Sequence, residues 1–411
     1  MKRFALLMAS IAITAVLSGC GGKGSASDPA LDFTAIPGDG VVTLAWTAAP
    51  DVEYWLFYAA GSSVTTSNWS NIGGTAVINV KSPYTITGLT NGSTYSFTMN
   101  GRKGGGPGGP GAPTQVVSPR FAGTKWTVAP PLGTGKLNAI GALSTIDVIV
   151  GAAGTIFAGA NGSTAVAQTN PAAPADLNAI THGGVGFAAV GASGTIIVST
   201  DATTWATRTS GTVAELFAVA SPGSGAFAAF GAAGTTLFST DGATWTTATS
   251  ATTRNLGAAT YGAGRFVAVG AGGTIVTSTD GITWQAVASN TTNDLKAVVM
   301  GSLVTTTGTG VTAITTTKNT FVAMGAAGTL VTSIDGLAWT VQKPVSTNTI
   351  NAVAYGGQFV AVGNAGIIFT SLDGITWTPQ VSGTANNLHA LVRTSSGYTA
   401  VGAAGTVLTS F

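Results

Sequence analysis

One short pattern constrains this chain more than any other. "GAAGTI" begins at Gly151, and close relatives begin at Gly191, Gly231, Gly270, Gly325, Gly363 and Gly402. The spacings are 40, 40, 39, 55, 38 and 39 residues. A fixed period of this size marks a repeat architecture, in which no unit buries its apolar face alone. The long interval holds an insertion, placed at "GSLVTTTGTGVTAITTT" (301–317).

Each repeat contains four short strand-like pieces. In the fourth these are "NLGAATY", "RFVAVG", "GTIVTST" and "TWQAVAS". Four strands per repeat of about 40 residues describe the blade of a β-propeller, whereas the coils of a parallel β-helix are shorter. The last copy stops at "GTVLTSF" and lacks its fourth strand, while "TKWTVAP" (124–130) precedes the first copy as a strand without a blade. Pairing the two removes the open edge of a ring. The expectation is an all-β chain whose residues 120–411 form a seven-bladed propeller of four-stranded blades, with the strand near 124–130 closing the last one.

Five segments share a second motif: "STDATTW" (199–205), "STDGATW" (239–245), "STDGITW" (278–284), "SIDGLAW" (333–339) and "SLDGITW" (371–377). They resemble the Asp-box, or BNR repeat, of sialidase-like propellers, with one residue fewer before the glycine. The resemblance implies a structural role in the hairpin between the third and fourth strands. Ser199, Asp201, Trp205, Ser239, Asp241, Trp245, Ser278, Asp280, Trp284, Ser333, Asp335, Trp339, Ser371, Asp373 and Trp377 are the residues concerned. The serine and aspartate are expected to bond main-chain groups of the turn, and the tryptophan to pack between strands. Calcium takes six to eight oxygens, and a box offers one carboxylate, so no metal is expected there. Repeats of this kind also resemble those of photosystem II assembly factors, whose propellers are protein-binding scaffolds. The basic patch of that family has no counterpart here.

The sialidase resemblance also raises an enzymatic alternative, a glycoside hydrolase or lyase at the cell surface. Sialidases use an arginine triad, a tyrosine–glutamate pair and an aspartic acid, and carry a Phe/Tyr-Arg-Ile/Leu-Pro segment. That segment is missing, and Glu215 is the only glutamate after residue 119. Acid–base glycoside chemistry needs two carboxyl groups at a defined separation, which only Asp176, Glu215 and Asp294 offer outside the boxes besides Asp147. Each of those three directly precedes the residue that opens an innermost strand. The seven equivalents are Lys136, Asp176, Glu215, Asn255, Asp294, Thr349 and Asn387. They are expected to ring one mouth of the central channel, on the face opposite the Asp-box turns, and to form the candidate binding rim. His182 and His389 fall in different repeats without metal-ligand spacing and are read as surface or rim residues. No catalytic residue, metal or cofactor is assigned.

Ahead of the repeats, "VTLAW" (42–46), "YWLFY" (54–58) and "YSFTM" (95–99) alternate as strands do. With "YTITGLTNGSTYSFTM" (84–99) they resemble a fibronectin type III domain over 31–119. The resemblance implies that Leu89 and Tyr95 occupy its leucine and corner-tyrosine positions, Tyr95 bonding main chain at the corner. The glycine-rich stretch 104–113 departs from that family as a longer loop.

The first residues, "MKRFALLMASIAITAVLSGC", combine Lys2 and Arg3 with an apolar run too short to span a bilayer. Leu17-Ser18-Gly19-Cys20 resembles the lipobox of bacterial lipoproteins. The resemblance implies cleavage after a signal peptide (1–19) and acylation of Cys20, the only cysteine. Two acyl chains suffice for stable anchoring. Residues 20–30 then read as a lipidated tether, and Gly21 after the cysteine resembles lipoproteins sorted to an outer membrane. Removing Lys2 and Arg3 takes the net charge from +2 to 0. Charged residues are 7% of the chain, against about 25% in ordinary domains. Nucleic acid requires a basic footprint and is excluded as a partner. The sequence therefore reads as a monomeric, lipid-anchored envelope protein that binds protein or glycan without catalysis.

Overall fold

The computed structural model describes residues 24–61, 63–143, 146–160, 164–307, 314–395 and 397–410. The signal peptide, Cys20 and the lipobox lie outside them. The chain divides into two compact units, Met1–Arg120 and Phe121–Phe411. Among the described residues no helix is long and apolar enough to cross a membrane.

The first unit is two antiparallel sheets around one core. Leu31–Pro37, Val42–Thr47 and Tyr84–Ile86 form the smaller sheet. The larger one is built on Tyr95–Lys103, flanked by Glu53–Ala60 and then Thr75–Val80. Alternation buries Val42, Leu44 and Trp46 of the one sheet against Leu56, Phe97 and Met99 of the other. The Tyr95 hydroxyl accepts a hydrogen bond from the Thr90 N–H at 3.1 Å, which pins the turn before its strand.

The far side of Tyr95–Lys103 is shared by two short strands. Gln115–Val117 pairs with Tyr95–Phe97, and Ser25–Ser27 pairs with Gly101–Lys103. Residues 25–27, part of the expected tether, are thus a strand of the sheet. The glycines of the 104–113 stretch allow this. Gly109 donates its N–H to Gly101 O at 2.9 Å, and a side chain on Gly109 would collide with the Ser27 carbonyl. The stretch is a loop that runs back along the sheet, Ala112 donating its N–H to Met99 O at 2.8 Å.

In the second unit the described residues form seven four-stranded antiparallel sheets, numbered here in chain order. Sheet 4 is representative: Leu256–Gly262, Arg265–Gly270, Ile275–Ser278 and Gln285–Val287. Its second strand is almost wholly buried, as is Phe359–Gly363 in sheet 6. Such strands are packed on both faces, which explains continuous apolar runs where alternation would mark a half-exposed sheet. First strands are neighbours in chain order, and that of sheet 7, Leu388–Arg393, lies beside that of sheet 1, Leu137–Leu143. The arrangement is consistent with a β-propeller. The fourth strand of sheet 7 is Trp126–Val128, paired with Leu408–Ser410. Gly123 N–H donates to Ser410 Oγ at 2.7 Å beside it.

The insertion lengthens sheet 5. Its first two strands are Leu295–Thr307 and Ile314–Gly325, and 301–307 pair with 314–320.

The repeated Gly-x-x-Gly has two distinct causes. The first glycine is extended, as in Gly191 (φ −169°), but a side chain there would strike the Asp176 carbonyl. The second, such as Gly194, takes φ +71°, a left-handed conformation that glycine alone adopts without strain. Between them sits a residue that is left-handed in every sheet: Ala153, Ser193, Ala233, Gly272, Ala327, Ala365 and Ala404.

Candidate functional site

The Asp-box turns are closed hydrogen-bond systems. Asp280 Oδ1 accepts the N–H groups of Ile282 and Thr283, both at 2.8 Å, and the Ser278 hydroxyl at 2.9 Å. The Ser278 oxygen in turn accepts the N–H of Gly281 at 2.9 Å, and Trp284 Nε1 donates to Gly281 O at 3.1 Å. Asp201, Asp241, Asp335 and Asp373 accept the corresponding two N–H groups in the same way, and the serine bond recurs at Gly242, Gly336 and Gly374. Donation from the main-chain N–H groups of Thr283 and Ile282, then from Ser278, holds the Asp280 carboxyl below the usual range. Gly281 has φ +75°, and Ala202 is forced to φ +64° in the one box without a glycine. Trp284 is buried with its ring 5.0 Å from Phe230 and perpendicular to it. Each motif aspartate thereby spends its Oδ1, and each serine its hydroxyl, within its own turn.

Antiparallel order puts these turns, which join third and fourth strands, at the opposite end of each sheet from the start of the first strand. At that other end lie Lys136, Asp176, Glu215, Asn255, Asp294, Thr349 and Asn387. They are equivalent: the carbonyl of each accepts the N–H that follows the first glycine of its own sheet, at 2.8–3.0 Å. Four of them also reach the preceding sheet. Asp176, Asn255, Asp294 and Asn387 accept, through Oδ1, the N–H of the left-handed residue there: Ala153, Ala233, Gly272 and Ala365. Each side chain thus ties one strained turn to the next sheet.

The carboxylates at this end are occupied in the same way. Asp176 and Asp294 hold those turns, and Glu215 Oε1 accepts from Asn178 Nδ2 at 3.0 Å. Among the described residues no group of three or more His, Cys, Asp or Glu is placed to hold a metal ion.

A second ring lies two residues further on. It comprises Asn138, Asn178, Phe217, Gly257, Lys296, Asn351 and His389, the middle residues of a Leu/Ile-x-Ala triplet in each sheet. In all seven first strands the register shifts within this triplet. Such a bulge leaves one residue unpaired and re-aims its side chain. Here it turns the middle residue into the mouth of an axial cavity of about 380 Å³. A deeper cavity of about 240 Å³ is lined by the first strands of all seven sheets.

The second ring also stitches neighbouring sheets. Asn138 Nδ2 donates to Leu177 O at 2.9 Å, Asn178 to Leu216 O at 3.0 Å, and Asn351 to Leu388 O at 2.8 Å. His389 Nδ1 completes the turn of the ring on Leu137 O at 3.0 Å. Burial pushes the His389 pKa down, as does Lys136, and only the bond to Leu137 opposes them. His389 therefore faces the mouth, neutral, with Nδ1 as donor. His182 sits elsewhere, its ring against Phe187 at 5.1 Å.

Phe217 and Gly257 have no donor to give, and among the described residues Lys296 does not bond the next sheet either, so the stitching breaks over these three. The mouth is consequently lopsided. One side is closed by amides, and the other presents half-buried Phe217, the bare backbone of Gly257 and exposed Lys296. The expected rim lies two residues earlier in each repeat, and its Lys136, Asn255 and Asp294 line the same cavity; sequence reasoning missed the second ring itself. The available signal was a variable residue inside an otherwise constant triplet.

No family model matches this sequence, and no curated protein does. Solved structures do match the fold. A structure of YCF48 bound to D1 peptide is similar over 69% of this chain and 94% of its own, with a TM-score of 0.54 and 17% identity. YCF48 from Cyanidioschyzon merolae covers 69% of this chain and 98% of its own, with a TM-score of 0.52 and 16% identity. The repeated sheets thus have the fold of a β-propeller.

Proposed function

We propose that this chain is a non-catalytic binding protein of the bacterial envelope. Its second unit acts as a seven-bladed propeller that takes a segment of a protein partner at the lopsided channel mouth. A fibronectin type III-like sandwich and an acylated Cys20 hold it at the membrane, the outer one where the cell has two.

The observation that carries the reading is the division of labour between the two ends of the sheets. At the Asp-box end the serine hydroxyls and one oxygen of each aspartate are spent on the turn itself. The mouth offers an aromatic ring, a cation and open backbone within one cavity of about 380 Å³, the mixture found in binding pockets. YCF48, of similar fold, has been solved with a bound peptide. The lipobox at Cys20 supports the anchor, and the Tyr95–Thr90 bond supports the fibronectin-like assignment. The carboxylates of the glycosidase alternative already serve as hydrogen-bond acceptors, which favours binding over hydrolysis.

The test is capture of partners from native envelope extract by the full-length protein in detergent. Wild type is expected to retain a discrete partner that the double variant Phe217→Ala, Lys296→Glu loses. Equal capture by both would place binding elsewhere.

A further inference from the structure

The broken stitch identifies the chemistry that the mouth accepts. In four sheets the carbonyl that opens the first strand receives a side-chain N–H from the preceding sheet, as Leu177 O does from Asn138. Leu256 O, Leu295 O and Ile350 O occupy the same position, facing Phe217, Gly257 and Lys296, and among the described residues none of the three receives a side-chain donor. A carbonyl that loses water without gaining a donor is costly to bury. At Gly257 there is open space: an added Cβ there meets no atom within 4 Å, and its φ is not left-handed.

We infer that the notch at Gly257 receives an uncharged amide N–H from the partner, such as the carboxamide of an Asn or Gln side chain, in place of the amide this sheet lacks. The inference rests on the mouth being the binding site. Three features select the neutral donor. Main-chain carbonyls only accept, so a carboxylate is repelled. Lys136 and Lys296, which line the cavity with Asp294 as its one carboxylate among the described residues, disfavour an ammonium. Phe217 supplies an apolar wall for the planar face of a carboxamide. Asn138, Asn178 and Asn351 show that such a group fits this position, because the protein uses it there three times.

The experiment fills the notch with the protein's own solution. Gly257→Asn is expected to donate to Leu295 O as Asn178 does to Leu216 O, and to melt at or above the wild-type temperature. Methyl NMR of Leu256 and Leu295 in the full-length protein is then followed during titration with acetamide, acetate and methylammonium. Saturable shifts with acetamide alone, lost in Gly257→Asn and kept in Gly257→Ala, are the expected result. Saturation by acetate or methylammonium instead, or no saturable shift with any probe, overturns the inference. Partner capture separates it from the broader reading. If Gly257→Asn captures as wild type does while Phe217→Ala, Lys296→Glu does not, the mouth binds but the notch is not the amide site.

Discussion

His389 Nδ1 lies 3.0 Å from the carbonyl oxygen of Leu137, across 252 residues of sequence. The last sheet is thus bonded to the first by the same position that bonds sheets 1, 2 and 6 to their successors. In those sheets the donor is asparagine. A carbonyl accepts only, so His389 must carry its proton on Nδ1, and Nε2 is left as an acceptor.

This relationship predicts a pH effect at one residue. Burial depresses the His389 pKa, so unfolded chains take up its proton more readily than folded ones. Its contribution to stability is full above about pH 6.5, the unfolded value, and declines as the pH falls from there through the folded pKa. His389→Asn keeps the bond and removes the titration. It is expected to match wild type in melting temperature at pH 8 and to exceed it at pH 5. His389→Ala is expected to lose roughly 1 kcal/mol at pH 8 through the unpaired Leu137 carbonyl. Denaturant titrations at the two pH values check both.

Asp280 is a turn residue and not a reactive acid. Asp280→Ala is expected to destabilise the chain by about 1 kcal/mol, the range for losing capping-type bonds, and to leave partner capture unchanged. The carboxyls of Asp201, Asp241, Asp280, Asp335 and Asp373 are all held below their ordinary value. Their contribution is present above about pH 3.9 and lost as the pH drops through the folded values. Thermal melts of wild type should therefore fall steeply below about pH 4, beyond the His389 effect. Replacing two boxes' aspartates with asparagine should flatten that fall.

The aspartates and asparagines at the start of the first strands are structural ties. Asp294→Ala removes the acceptor for the N–H of Gly272 and is expected to cost about 1 kcal/mol. Amide exchange is the direct readout: the Gly272 N–H should exchange faster in the variant, while acetamide shifts at Leu256 and Leu295 persist.

In the first unit, Gly109→Val places a side chain against the Ser27 carbonyl. The strand Ser25–Ser27 is expected to detach, which hydrogen exchange at Gly101–Lys103 would report. Unchanged protection there would mean that the glycine-rich stretch does not secure that strand.

Much of this architecture is legible from the repeat. Period and strand count give four-stranded sheets because each copy must bury its faces against the next, and the Asp-box residues make the turn bonds their types suggest. The mouth was legible only in part. Lys136 and its equivalents lie at the expected end of the sheets, and Lys136, Asn255 and Asp294 line the cavity, but so do Asn138 and its equivalents two residues on. A bulge at the same point of all seven first strands aims that second ring into the mouth, and a single sequence does not display a bulge as it displays a period. Residues 25–27 were misread for a related reason. "SAS" has no apolar alternation, and it is a strand because the glycines opposite let its backbone come close.

Site-specific photo-cross-linking in native cells tests the central claim most directly. A benzophenone side chain at position 217 reports on the mouth, and one at position 282 reports on the Asp-box end, where Ile282 is 52% exposed. The account predicts a discrete protein adduct from position 217 and none from position 282. An adduct from position 282 with none from position 217 would contradict it.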